Sequence, residues 1–259
     1  MFPVIVVLTF ILLIALIVEQ SNKKKKKTPA AAFIVTEKIL EDNIRFYRDL
    51  DQAGKLRFKK ETADFLNDVT ITGVKIPVTD VDRIMVAASA IIPVFCFPGS
   101  KYPNLHEVLL YADAINMQFQ SEGNNNRDIL GMVGSGYMEG KMLLSQPALA
   151  LGFSNRSDKH NTAIHEFVHL IDKSDGETDG IPKLLLDKQY VLPWLDLVHK
   201  EMEKIKEGES DIDAYGYTNK SEFFAVAAEY FFERPDLFKT KHPELFSMLE
   251  KIFTPALSK

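Results

Sequence analysis

Between Thr162 and Asp172 the chain reads Thr-Ala-Ile-His-Glu-Phe-Val-His-Leu-Ile-Asp, a His-Glu-x-x-His set in an otherwise apolar run. Apolar residues at these spacings favour a buried helix, and residues four apart on a helix lie one above the other. His165 and His169 therefore project from one face and can share a metal ion. Glu166 is one step round from the first imidazole, where its carboxylate can reach a water activated by that metal without occupying a ligand position. The bland alternative is a pair of core histidines. Burying two imidazoles without partners is costly, and a shared metal removes that cost.

The rest of the chain must supply a core and a further ligand. At 259 residues it has the length for one large domain or two small ones. Its 31 Lys and Arg against 36 Asp and Glu give no basic surface for nucleic acid. Cys96 is the only cysteine and sits in an apolar run, so there is no disulfide framework and a reducing compartment is expected.

The N-terminus differs in kind. Phe2 to Val18 is apolar except for Thr9, and Lys23 to Lys27 are five consecutive lysines. A cleaved signal peptide would carry its charge before the apolar run and small residues after it, whereas Glu19-Gln20-Ser21 follows here. Residues 1–20 thus read as a single-pass transmembrane helix at the cytoplasmic membrane. The lysines hold the remainder in the cytoplasm. Residues 21–32 read as a basic and polar linker. Residues 33–259 read as the working domain, with a helical and strand part over 33–130 and a metal-binding part over 131–259.

Helical spacing runs from Phe33 to about Leu66, with a break at Asp51 to Gly54, and Thr79-Asp80 is placed to cap a helix over 81–90. Ile91 to Phe97, Glu107 to Ile115 and Lys141 to Ala150 read as strands. The last is a candidate edge strand that could pair with extended substrate. Gly131 to Gly140 lacks the spacing of a phosphate loop and reads as a turn or flexible hairpin. Asp172, three residues past His169, could accept the second ring N–H of a ligand histidine or simply end the helix in solvent. A further helix is expected over 190–205. His199 falls on its polar side, and His106 stands alone; neither is expected to bind metal.

The third ligand is sought in Asp213 to Pro235, a turn followed by a helix that is almost wholly apolar apart from Glu222 and Glu229. Acids on so apolar a helix must be paired or bind metal. Asn219-x-x-Glu222 also has the form of a capping box, a purely local reason for that glutamate. Glu229 is seven residues on, hence on the same face, and is either a rival ligand or an acceptor behind one.

His165-Glu166-Phe167-x-His169-x-Ile171-Asp172, then Tyr215-Gly216-x-Thr218-Asn219-x-x-Glu222-Phe223-Phe224-Ala225-Val226, then Phe231-Phe232-Glu233-Arg234-Pro235 together resemble the Mlc titration factor A family of zinc-dependent peptidases. The catalytic domain of that family is similar to the anthrax lethal factor metalloprotease. The resemblance implies an α+β, zincin-like metallopeptidase domain holding one Zn²⁺ on His165, His169 and Glu222. It makes Glu166 the general base and Tyr215 the donor to the oxyanion. It also implies hydrolysis of a peptide or protein substrate, with aminopeptidase-like action on short peptides. Exo- and endo-cleavage both stay open. The same family implies an alternative role, the sequestering of a transcriptional repressor of sugar uptake. A closed structural zinc site is disfavoured, since two histidines and a carboxylate leave a position open.

Overall fold

A computed structural model describes residues 33–113, 131–134, 138–155 and 158–254. The apolar run and the lysines read above as anchor and linker lie outside these residues. Among the described residues no helix is long and apolar enough to cross a membrane. Residues from Ile34 onward fold as one unit.

Three helices open it: α1 (Glu37–Asn43), α2 (Arg45–Arg48) and α3 (Gln52–Asp68). Asp51 makes the expected break, its Oδ1 accepting the Gly54 N–H at 2.7 Å to start α3. β1 (Thr70–Val74) follows, then α4 (Asp80–Ile91), entered through a full capping box between Thr79 and Asp82. β2 (Glu107–Tyr111), β3 (Gly131–Val133) and β4 (Lys141–Ser145) are the other strands among the described residues, and α5 (Gln146–Ser154) leads to α6 (Thr162–Asp172). The C-terminal part is α7 (Val191–Lys206), α8 (Lys220–Glu233), α9 (Pro235–Lys241) and α10 (Pro243–Phe253).

The sheet order is β1-β2-β4-β3, with β1, β2 and β4 parallel and β3 antiparallel to β4. Strands from both sides of residue 130 therefore share one sheet, and the mixture of helices and sheet is of the α+β kind. α6 is packed between α8, α4, α5 and β3. Ala163, Ile164, Phe167 and Val168 are all essentially inaccessible. Phe167 packs at a tilt against Tyr102 and edge-on against Phe65, with ring centroids 5.1 and 5.7 Å away. Truncating such a side chain to alanine costs about 3–5 kcal/mol, so the helix carrying His165 and His169 is held by its back face.

Four expectations are corrected. Ile91 to Phe97 is not a strand: α4 runs to Ile91 and continues as a 3-10 turn through Ile92–Val94. Residues 84–92 are buried all round, and a continuous apolar run has no period to separate strand from buried helix. The expected strand over 107–115 ends at Tyr111, with Ile115 outside the described residues. That over 141–150 ends at Ser145, whose hydroxyl caps α5 by accepting the Ala148 N–H. β4 is also interior; the edge beside the site is β3, in a stretch read as a turn or hairpin. β1 was not anticipated.

Candidate metal centre

Asn161 starts α6, its Oδ1 accepting the Ile164 N–H at 3.1 Å. One turn in, His165 and His169 point the same way, their Nε2 atoms 3.0 Å apart and their rings nearly perpendicular. α8 brings Glu222 across to them, with Oε2 at 3.0 Å from the Nε2 of His165 and 3.2 Å from that of His169. Asn219 Oδ1 does accept the Glu222 N–H at 3.0 Å, the first half of the capping box. The Glu222 carboxylate, however, points to the histidines.

The outer ring nitrogens fix the tautomers. His165 Nδ1 lies 2.6 Å from Glu229 Oε1, and an ionised carboxylate only accepts, so that nitrogen carries the proton. His169 Nδ1 lies 3.1 Å from Ser221 Oγ, whose own proton goes to Asp172 Oδ2 at 2.7 Å. His169 Nδ1 is therefore also the N–H side. Both Nε2 atoms then face the Glu222 oxygen, and with neutral imidazoles the three lone pairs would repel, so a cation, either a shared metal ion or an added proton, is called for between them. Two imidazoles, one carboxylate and an open side suit zinc of the catalytic type. The surrounding charge is consistent. Burial alone would pull the His165 pKa down, but the Glu229 and Glu222 carboxylates push it up to about 10. Burial would raise Glu222, yet its bonds to His165 and His169 bring it to about 2. This pocket is built to hold positive charge.

Glu229 reaches the outer nitrogen of His165 and not the inner atoms, and its Oε2 also accepts the Asn161 N–H at 2.6 Å. Asp172 acts at one remove through Ser221 instead of touching a ring. It is buried rather than solvated, and its Oδ2 also accepts the Gly180 N–H at 3.0 Å. His199 and His106 lie apart from the centre, both exposed.

Glu166 is buried beside the ligands, and burial raises its pKa. β3 passes directly over it. A Cβ at Gly131 would stand 2.7 Å from Glu166 Cγ and 2.8 Å from Oε1, so only glycine lets the strand come this close. Tyr215 sits in a 3-10 turn, Ala214–Tyr217, that Asp213 opens by accepting the Tyr215 N–H at 2.7 Å. Its ring centroid is 6.1 Å from that of His165, and the side chain is about half exposed toward a cleft of about 560 Å³. Gly131, Met132 and Val133 form one wall of that cleft. Gly134 N–H donates to Lys141 O, so by antiparallel alternation Met132 also pairs inward. Gly131 and Val133 turn their N–H and C=O to the other side, where no strand among the described residues pairs with them.

Ser221, Asn161 and Gly131 were not singled out in the sequence. Asn161 had a usable signal, a capping residue directly before the apolar run. Ser221 and Gly131 had none, because each matters only through a distant contact.

A family model described as glucose-regulated metallo-peptidase M90 matches residues 19–254. A Synechocystis protein described as uncharacterized is 28% identical over 84% of this chain and 82% of its own length. Mlc titration factor A of Pectobacterium atrosepticum is 26% identical over 68% of this chain and 69% of its own. That of Cronobacter sakazakii is 31% identical over 64% and 67%.

Proposed function

The chain belongs to the glucose-regulated metallo-peptidase M90 family, together with the Mlc titration factor A proteins its motif stretches resemble, and from that premise we propose that it is a zinc-dependent peptidase of zincin-like design. The observation that carries the reading is the convergence of His165, His169 and Glu222 beside a buried Glu166 that binds none of their inner atoms. Zinc held by the three would polarise a peptide carbonyl and acidify a water.

Glu166 takes a proton from the attacking water and passes it to the leaving amine. A carboxylate whose pKa is raised by burial is better matched to both transfers than a solvated one. Tyr215, facing the same cleft, donates its phenolic hydrogen to the oxyanion that forms at the cut carbonyl. The outward N–H and C=O groups of Gly131 and Val133 hold the substrate backbone extended, a strand addition to the edge of the sheet. The apolar residues 2–18 and lysines 23–27 support a membrane anchor that leaves this domain on the cytoplasmic side. Salt extraction of membranes tests that part: a buried helix stays, while a polybasic attachment is released.

Metal analysis of the full chain tests the centre. One zinc per chain is expected in the wild type and none in the His165→Ala, His169→Ala double variant; full retention in the double variant overturns the ligand set. A second reading, capture of a regulatory protein, is favoured by the name of the relatives, titration factor. It needs no general base at Glu166.

A further inference from the structure

Past the far end of β3 lies a second cavity, larger than the metal cleft at about 840 Å³. The two share Val133 and Lys173 as walls, so one extended molecule can occupy both. Tyr102, Pro103, Leu170, Leu184 and Leu185 give it an apolar lining, and Leu184 is 68% exposed. Of the charged residues in its lining, Lys101 pairs with Asp68 at 2.8 Å, Asp175 with Lys183 at 2.9 Å, and Lys141 with Glu107, while Lys173 and Glu139, of opposite charge, also line it.

We propose that this cavity is a side-chain subsite of the same cleft, taking an apolar residue two or three positions before the bond that is cut. The proposal rests on the peptidase reading above. Its distance from the centre follows from α6. Lys173 is four residues past His169, about 6 Å at a helical rise of about 1.5 Å per residue. An extended peptide advances about 3.3 Å per residue, so the cavity wall is reached about two residues from the metal ligands. Its direction follows from β3. Gly131 lies over Glu166 and Val133 at the cavity, so the strand runs from the general base toward the cavity. A peptide added antiparallel, the more stable pairing, runs the other way. Residues preceding the cut bond therefore enter the cavity. Such a site selects chains that extend on the N-terminal side of the bond, and so favours internal cleavage over removal of a single terminal residue.

The test uses the full zinc-loaded chain and short peptides spanning the bond, with Leu or Asp placed in turn at each position before and after it. Leu should be preferred at the second or third position before the bond by about tenfold to a hundredfold in kcat/KM, mostly through KM, the range expected for burying one such side chain. Leu184→Asp, at an exposed position that the fold tolerates, should abolish this preference. Equal cleavage of all peptides, a preference confined to positions after the bond, or a preference unchanged in Leu184→Asp would each overturn the subsite while leaving the peptidase reading intact. If no peptide is cut, that reading fails, and the subsite is judged by binding of the same labelled peptides to Glu166→Gln. Tighter binding of the Leu peptide that Leu184→Asp removes supports it, and equal binding of the Leu and Asp peptides overturns it.

Discussion

Glu229 Oε1 stands 2.6 Å from Nδ1 of His165, while its other oxygen takes the backbone N–H of Asn161, the residue that caps the same helix. One carboxylate thus orients His165 and anchors the start of the helix that carries it. His169 is backed instead by a neutral hydroxyl, Ser221, with Asp172 behind it.

This asymmetry predicts an order. Glutamine at position 229 offers one acceptor to two donors, so Glu229→Gln should weaken zinc binding by about 10- to 100-fold. Ser221→Ala should weaken it less. Chelator competition checks both, and a Glu229→Gln protein with wild-type affinity would show that the carboxylate is not orienting His165. Loss of zinc in Glu229→Gln together with full retention in Glu222→Gln would mean that the ligand is the other glutamate.

Gly131→Ala places a methyl group where Glu166 now lies, 2.7 Å from its Cγ. Either β3 retreats or the carboxylate moves, and displacement of about 1 Å can cost about 10²-fold in rate. Turnover should fall by that order with zinc content unchanged. Wild-type turnover in this variant would mean the contact relaxes without consequence.

How far the site could be foreseen follows from the kind of geometry each residue needs. His165, Glu166 and His169 lie within one helical turn, where spacing converts directly into direction. Glu222 and Glu229, seven apart, share a face of α8, so periodicity could not rank them. The structure separates them by which nitrogen of His165 each one reaches. The edge strand was misplaced for a related reason. β3 has three residues, two of them Met132 and Val133, and it is a strand only because β4 pairs with it from one side. The buried turn after Ile91 carries no periodic signal at all.

A charged cluster outside the candidate metal centre predicts a pH dependence. His242 joins Glu201 at 3.1 Å and Asp211 at 2.8 Å, while Lys204 also holds Glu201 and Lys159, Lys241 and Tyr230 also hold Asp211. Burial would lower the His242 pKa, but the two acids raise it above 6.5. Burial would raise Glu201 and Asp211, and their partners instead hold both below their ordinary values of 4.5 and 3.8. The histidine's contribution is complete below 6.5 and fades as pH rises through its higher folded value. That of the acids is complete above 4.5 and fades as pH falls through their lower folded values. His242→Ala should therefore cost about 1–3 kcal/mol, most of it between pH 4.5 and 6.5. Denaturant melts across pH check this, and a cost that grows above neutrality would contradict it.

Tyr215→Phe removes one hydrogen-bond donor from the cleft. If that donor serves the oxyanion, turnover should fall about 10²–10³-fold with zinc and KM little changed. Intact turnover with a raised KM would make Tyr215 a substrate-positioning residue.

Peptide hydrolysis by Glu166→Gln, with zinc measured on the same sample, bears most directly on the central claim. Glutamine keeps the shape of the buried side chain and removes the base. Removing a general base typically costs about 10²–10⁴ in rate. Zinc should stay at the wild-type level while hydrolysis falls at least that far and at least as far as in Tyr215→Phe. Hydrolysis at the wild-type rate would contradict the catalytic role of Glu166 and leave the capture of a regulator as the reading of this site.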